Sequence, residues 1–278
     1  MKKYTLAIIM FVMVTIISGC SVNADATSDI TYPTLTELTE TKVEPYKIEI
    51  ETVEEALEEP AVEERAATRV VSGGASWIYA KTQDGVRGTK TTQYKKTYNL
   101  KGELLSRVEV PESVTYNNTI PTLYEGGQKA QPGAYFTSTR ITRYGVDCAG
   151  CNMNSDGKGS TSSGVGVGVD SVRQKDGTWA PGITYEGYYI LAASSAIPLC
   201  TVVEISNHNF SGSGITPGVP FKAIVLDRGG AIQGSKLDIY TGSERNMALS
   251  QGRGWSVDVE ILSLHSRSRT STGWNCNI

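Results

Sequence analysis

The chain has 278 residues, five cysteines, two histidines and a formal net charge of −3. His208 and His265 lack zinc-ligand spacing with the cysteines, and no phosphate loop or serine-nucleophile motif is present, so zinc, nucleotide and serine-triad chemistries are not expected. The small net charge hides an asymmetry: residues 21–67 carry thirteen acidic and three basic side chains (−10), residues 68–278 sixteen acidic and twenty-one basic (+5). A mildly basic globular part behind an acidic segment is compatible with an anionic polymer as partner, and equally with a plain solvated surface.

The N-terminus reads as an export signal over residues 1–20. Lys2 and Lys3 form a basic start, and residues 6–17 form an uncharged apolar run too short to span a bilayer. Ile17-Ser18-Gly19-Cys20 follows and resembles a lipobox. That resemblance implies acylation of Cys20 and a membrane anchor through its lipid, with the mature chain outside the cytoplasm and facing the cell wall. Nucleic acid is then not an expected partner.

Residues 21–67 are rich in Thr, Glu and Pro, with Glu54-Glu55, Glu58-Glu59 and Glu63-Glu64. Such charge density predicts a disordered or partly helical spacer. Residues 68–127 read as a small β module broken by turns. Gly85, Gly88, Tyr94, Tyr98, Gly102 and Ser106 stand at positions similar to those of the G-five wall module, although Glu125-Gly126-Gly127 replaces that module's usual ending.

Residues 128–278 carry the informative pattern. Strands are predicted over 188–193, 201–205, 221–226 and 237–240. Ser243 to Ser250 is predicted as a short helix, with Ser243 as cap and Gly252 as stop. Trp255, Val257, Val259 and Ile261 alternate with polar residues, which predicts a half-buried strand with Trp255 on its inner face. The fold class is mainly β, and many short strands with one or two short helices suggest a small closed barrel.

With Cys20 set aside, Cys148, Cys151, Cys200 and Cys276 remain, an even number in an oxidising location. Three pairings are possible. Cys148–Cys151 with Cys200–Cys276 is preferred because the first two are close in sequence. A redox role for Cys148-Ala149-Gly150-Cys151 is disfavoured, because its flanks read as loop rather than as the strand and helix that lower a thiol pKa.

The chemistry centres on residues 225–240. An apolar strand delivers Asp227 at its end, Gly229-Gly230 turns the chain, and Asp238 sits between Leu237 and Ile239. Side chains alternate across a strand, so Asp238 faces away from the side that buries Leu237 and Ile239. Crowding and desolvation of two carboxylates there would raise one pKa towards neutrality, leaving a general acid. Turn chemistry, with each Asp bonding nearby amides, is the competing reading.

The full string Asp227-Arg228-Gly229-Gly230-Ala231-Ile232-Gln233-Gly234, with Leu237-Asp238-Ile239-Tyr240 after it, resembles the three-aspartate (3D) domain of bacterial wall enzymes and the catalytic barrel of membrane-bound lytic transglycosylases. Ile197-Pro198-Leu199-Cys200-Thr201 and Thr161-Ser162-Ser163-Gly164 are similar to two further motifs of that family, so the resemblance spans residues 140–262. It implies a six-stranded double-psi β-barrel that cleaves peptidoglycan between N-acetylmuramic acid and N-acetylglucosamine, as a lytic transglycosylase or a muramidase-like hydrolase. Asp238 would be acid and then base, Asp227 would tune it, and Thr161, Gly229, Gly230 and Tyr240 would line the glycan strand. No metal or organic cofactor is implied. One departure matters: Ala193, followed by Ser194 and Ser195, stands where the family carries its first aspartate. That opens the alternative of a wall-binding lipoprotein without catalysis.

Overall fold

A computed structural model describes residues 46–250, 254–271 and 273–278, together with the backbone of Val12–Val14. Cys20, the rest of the export signal around it and the proposed stop at Gly252 lie outside the described residues. Among the described residues, regular secondary structure is strand alone, and no helix is long and apolar enough to cross a membrane. The chain divides into two compact units, Met1–Ala61 with Gly85–Pro121, and Val62–Asp84 with Thr122–Ile278.

The first unit is built on two eleven-residue strands, Tyr46–Ala56 and Thr89–Asn99, paired antiparallel along their whole length. Leu104–Glu109 and Thr115–Asn117 add to the second of these. This corrects the expectation of a disordered spacer across 21–67, because residues 46–56 are a long strand. The acidic residues alternate with apolar ones and face a basic partner strand. Glu51 accepts hydrogen bonds from Lys96 (2.7 Å) and Arg107 (2.8 Å). A segment that repels itself in isolation is thus neutralised across the ladder.

The boundary of the second unit also moves. Val62–Arg65 pairs parallel with Thr122–Glu125, and Ala80–Gln83 pairs with the same strand. Ile78 and Ala80 are buried in the core that contains Phe136. Residues 62–84 therefore belong with the barrel-like unit rather than with the small module expected over 68–127.

The main sheet of this unit has eight strands. Its order is Ile141–Tyr144, Leu237–Tyr240, Tyr188–Ala193, Phe221–Asp227, Thr201–Ser206, Val257–Leu264 and Tyr135–Ser138, with Thr184–Tyr185 paired to Tyr188–Ala193. The first and last strands in this order are consecutive in sequence, separated by Thr139 and Arg140 alone. Two residues cannot cross an open sheet of this width, so the sheet curls and brings the end of its last strand near the start of its first. Ser138 Oγ, at the end of the last strand, donates to the Ser235 carbonyl (2.8 Å) beside the second, across this junction. Ile190, Leu191, Ile224, Leu226, Ile239 and Ile261 are fully buried within the curl.

A second sheet, Lys158–Ser160, Gly166–Gly168, Ser171–Arg173 and Trp179–Pro181, is inserted between strands of the first. Both disulfides of the preferred pairing are formed, Cys148–Cys151 and Cys200–Cys276. The second ties the C-terminal hairpin, Arg267–Thr270 with Gly273–Cys276, to the main sheet.

Two local expectations fail for identifiable reasons. The segment 243–250 is not a helix. Gly242 has φ +83°, and a Cβ there would fall 2.5 Å from the Val169 carbonyl, so the chain turns sharply before Ser243. The Ser243 hydroxyl accepts from Arg245 N–H (3.1 Å) and donates to Asp147 (2.7 Å), so its capping chemistry serves a turn instead. The last long strand begins at Val257 rather than Trp255, because Ser256 takes φ 52° and breaks the alternation.

Candidate functional site

Asp227 and Asp238 lie on the two strands flanking Tyr188–Ala193, and both are in register with Ala192. Leu237 and Ile239 are buried in the core while Asp238 is half-buried, so the alternation read from the sequence holds. Thr142 is the register partner of Asp238 on its other side. The row Thr142, Asp238, Ala192, Asp227 therefore crosses four adjacent strands on one face.

The two carboxylates are held differently. Asp227 Oδ1 accepts from Ser162 N–H, Ser162 Oγ and Arg228 N–H, each at 2.8 Å, and Oδ2 accepts from the Tyr144 hydroxyl at 3.0 Å. A carboxyl group engaged by four donors is fixed in place. Asp238 receives one hydrogen bond among the described residues, from Thr142 Oγ1 at 2.8 Å. Burial pushes the Asp238 pKa up to about 6; the Thr142 bond opposes this, and the charges of Glu244 and Asp227 add to it. Asp238 is thus the member of the pair that can hold a proton near neutral pH, and Asp227 is the one oriented by its hydrogen-bond partners.

Residues that the sequence reading did not single out build this difference. Burial first, and the neighbouring Asp227 charge second, hold the Tyr144 hydroxyl far above its usual pKa, so it stays a donor. Arg228 sends its guanidinium back to the carbonyls of Ile197 (2.7 Å), Ala193 (3.1 Å) and Asp227 (3.1 Å), which closes the glycine turn onto the 193–197 bend. Burial keeps its pKa below the usual arginine value, against the pull of Asp227. Glu244 is placed by Asp147, whose carboxylate accepts its N–H at 2.6 Å. Gly145 permits this approach, since a Cβ there would stand 2.3 Å from that nitrogen. Ser243 and the Glu244 amide hold the Asp147 pKa below the ordinary range against its burial. Among these, Arg228 stood inside the glycine-rich string and Ser243 was read as a helix cap, Asp147 was an Asp in a loop with many local uses, and Tyr144 carried no signal.

Two expected glycan-lining residues are corrected. Tyr240 is fully buried, packs edge-on against Tyr144 with ring centroids 5.4 Å apart, and donates its hydroxyl to the Gly168 carbonyl. It anchors the inserted sheet rather than touching solvent. Thr161 is also buried, its hydroxyl engaged with Ser163 Oγ (2.9 Å) and the Val165 carbonyl (3.2 Å). The exposed neighbour Ser162 is the residue that reaches Asp227. Gly229 and Gly230 stay at the rim of the turn, and Gly230 is open to solvent.

The C-terminal hairpin supports the same loop. Arg267 lies over the Trp274 ring at 4.1 Å and donates to the carbonyls of Ser162 (3.2 Å) and Ser163 (3.3 Å). Cys276, on that hairpin, is bonded to Cys200. Ala193 is buried, and its carbonyl is taken by Arg228, so the place of the expected first aspartate is closed to solvent. The next hydroxyl, Ser194 Oγ, is buried without a hydrogen-bond partner among the described residues.

Comparison with known families finds no family model that matches the chain, and comparison with curated proteins finds none that matches it. Chemically, the row offers one carboxyl able to give and take a proton and one fixed carboxylate beside it. No group of three or more His, Cys, Asp or Glu among the described residues is arranged to hold a metal ion.

Proposed function

We propose that this chain is a peptidoglycan-cleaving lytic transglycosylase of the 3D type, exported, lipid-anchored at Cys20 and facing the cell wall, with the curled sheet completing a double-psi β-barrel. The observation that carries the reading is the division of labour between Asp238, buried with a raised pKa, and Asp227, held by four donors. Protonated Asp238 gives its proton to the glycosidic oxygen as the C1–O bond breaks and positive charge develops at the sugar. The ionised carboxylate then takes the proton from the C6 hydroxyl as that oxygen bonds C1. The product is a 1,6-anhydro sugar, and Asp238 is restored. Asp227, through its bonds with Ser162 and Arg228, positions the turn beside the reacting centre.

The assay is mass spectrometry of fragments released from purified sacculi. Anhydro-muropeptides from the intact protein are the expected product, and reducing ends would mean a hydrolase. The closed position at Ala193 favours a second reading, a wall-binding protein without catalysis. Protein bound to intact sacculi with no fragment released would establish that reading instead.

A further inference from the structure

Trp255 stands apart from the other tryptophans. Trp77 packs edge-on against Phe136, Trp179 lies under Lys158, and Trp274 lies under Arg267. Trp255 is 63 % exposed and has no such cover among the described residues. The sequence alternation would have placed it inside, in line with Val257 and Val259. It is outside because Ser256, a non-glycine residue, adopts the left-handed conformation at φ 52°. Such backbone strain tends to be retained where presentation of a side chain serves function.

The ring borders a concavity of about 330 Å³ lined by Thr139, Arg140, Ile141 and Gly254. This is the junction between the last and first strands of the curled sheet, and Ile141 N–H donates to the Gly254 carbonyl there. Ile141 is the register partner of Leu237, one step from the Thr142–Asp238 pair. Arg140 immediately precedes this strand, is exposed and lines the concavity. The Arg140 guanidinium has no partner among the described residues, and Lys236 beside this junction is exposed.

We infer that Trp255 and Arg140 form a sugar-binding subsite adjoining the acid row, and that it takes a pyranose bearing a carboxylate. The flat indole face offers a stacking surface for a sugar ring, and the uncompensated guanidinium offers paired donors for a carboxylate. N-acetylmuramic acid with a free lactyl carboxylate, as in glycan stripped of its stem peptide, is the ligand of that chemistry. The inference rests on the glycan reading of the acid row and deepens it.

The test uses the full chain carrying Asp238→Asn, so that binding is measured without cleavage. The probes are a tetrasaccharide alternating N-acetylglucosamine with N-acetylmuramic acid, and a tetrasaccharide of N-acetylglucosamine alone, titrated by calorimetry. Trp255→Ala is expected to weaken binding of both by about tenfold, and Trp255→Phe by much less. Arg140→Gln is expected to weaken the muramyl probe alone, to the level of the neutral one. Binding unchanged in Trp255→Ala, or no binding of either probe by the parent, overturns the subsite. An Arg140→Gln protein that still prefers the muramyl probe overturns the carboxylate contact. The two proposals fail separately. Trp255-dependent binding with no cleavage when Asp238 is present removes the catalysis and keeps the subsite, while cleavage with an unchanged KM in Trp255→Ala does the reverse.

Discussion

Glu51 and Asp238 are both carboxylates on strands, yet the two units move their pKa values in opposite directions. Glu51 sits in a sheet of long, largely open strands where Tyr46, Leu104, Leu105 and Val108 are all exposed. Hydrogen bonds from Lys96 and then Arg107 hold its pKa below the ordinary range. Asp238 sits where a curled sheet with a dense core is covered by an inserted one, and burial raises its pKa to about 6. The open unit compensates its charges with partners along a ladder. The curled unit can leave a carboxyl short of partners and desolvated, which is what an acid catalyst needs.

The strongest way to break this contrast is to loosen the curled unit. Replacing Cys200 and Cys276 by Ser frees a crosslink with a sequence separation of 76, which costs about 4 kcal/mol in the chain-entropy picture. Thermal unfolding should then show the transition of the curled unit falling, with that of the open sheet unmoved. If both fall together, the two units do not unfold independently.

A smaller effect concerns Asp238 itself. Its folded pKa of about 6 lies above the unfolded value near 3.9, so the folded state binds the proton more tightly. The stability this gives is complete below about pH 4 and is lost as pH rises through about 6. Asp238→Asn can still accept from Thr142, and it should be more stable than the parent at pH 8, by up to about 2 kcal/mol allowing for partial exposure. The gain should vanish at pH 4. Denaturant titrations at the two pH values check this, and a variant less stable at pH 8 contradicts it.

Glu51→Gln should do the opposite, and less. The folded pKa of Glu51 is lowered, so its contribution is present above the unfolded value near 4.3 and is lost as pH falls through the folded one. A loss of less than about 1 kcal/mol at pH 7, fading towards pH 3, is expected for a strand-surface ion pair of this kind. The same denaturant titrations read it.

The sequence carried the centre of the site and little of its frame. The 188–193, 201–206, 221–227 and 237–240 strands were readable because a half-buried strand alternates and a buried one is continuously apolar, and glycine turns bounded them. Both disulfides followed from an even cysteine count and a short spacing. The strand at 46–56 was hidden because its charges are neutralised by a partner about forty residues away. Tyr240 and Thr161 were placed on the glycan because motif position does not report burial. Ser162, Tyr144 and Glu244 reach the acids through contacts across 65, 83 and about a hundred residues, which no local pattern encodes. Trp255 misled in another way, since one left-handed Ser256 overrode a regular alternation.

The central claim is that Asp238 is the proton donor, and the pH dependence of anhydro-muropeptide release from sacculi tests it most directly. The intact protein should release fragments at a rate that falls about tenfold per pH unit above about 6, following loss of the Asp238 proton. Asp238→Asn, folded by circular dichroism, should release about 10²–10⁴-fold less with that dependence gone. A folded Asp238→Asn protein releasing fragments at the rate of the intact one, with the same pH profile, would contradict the account.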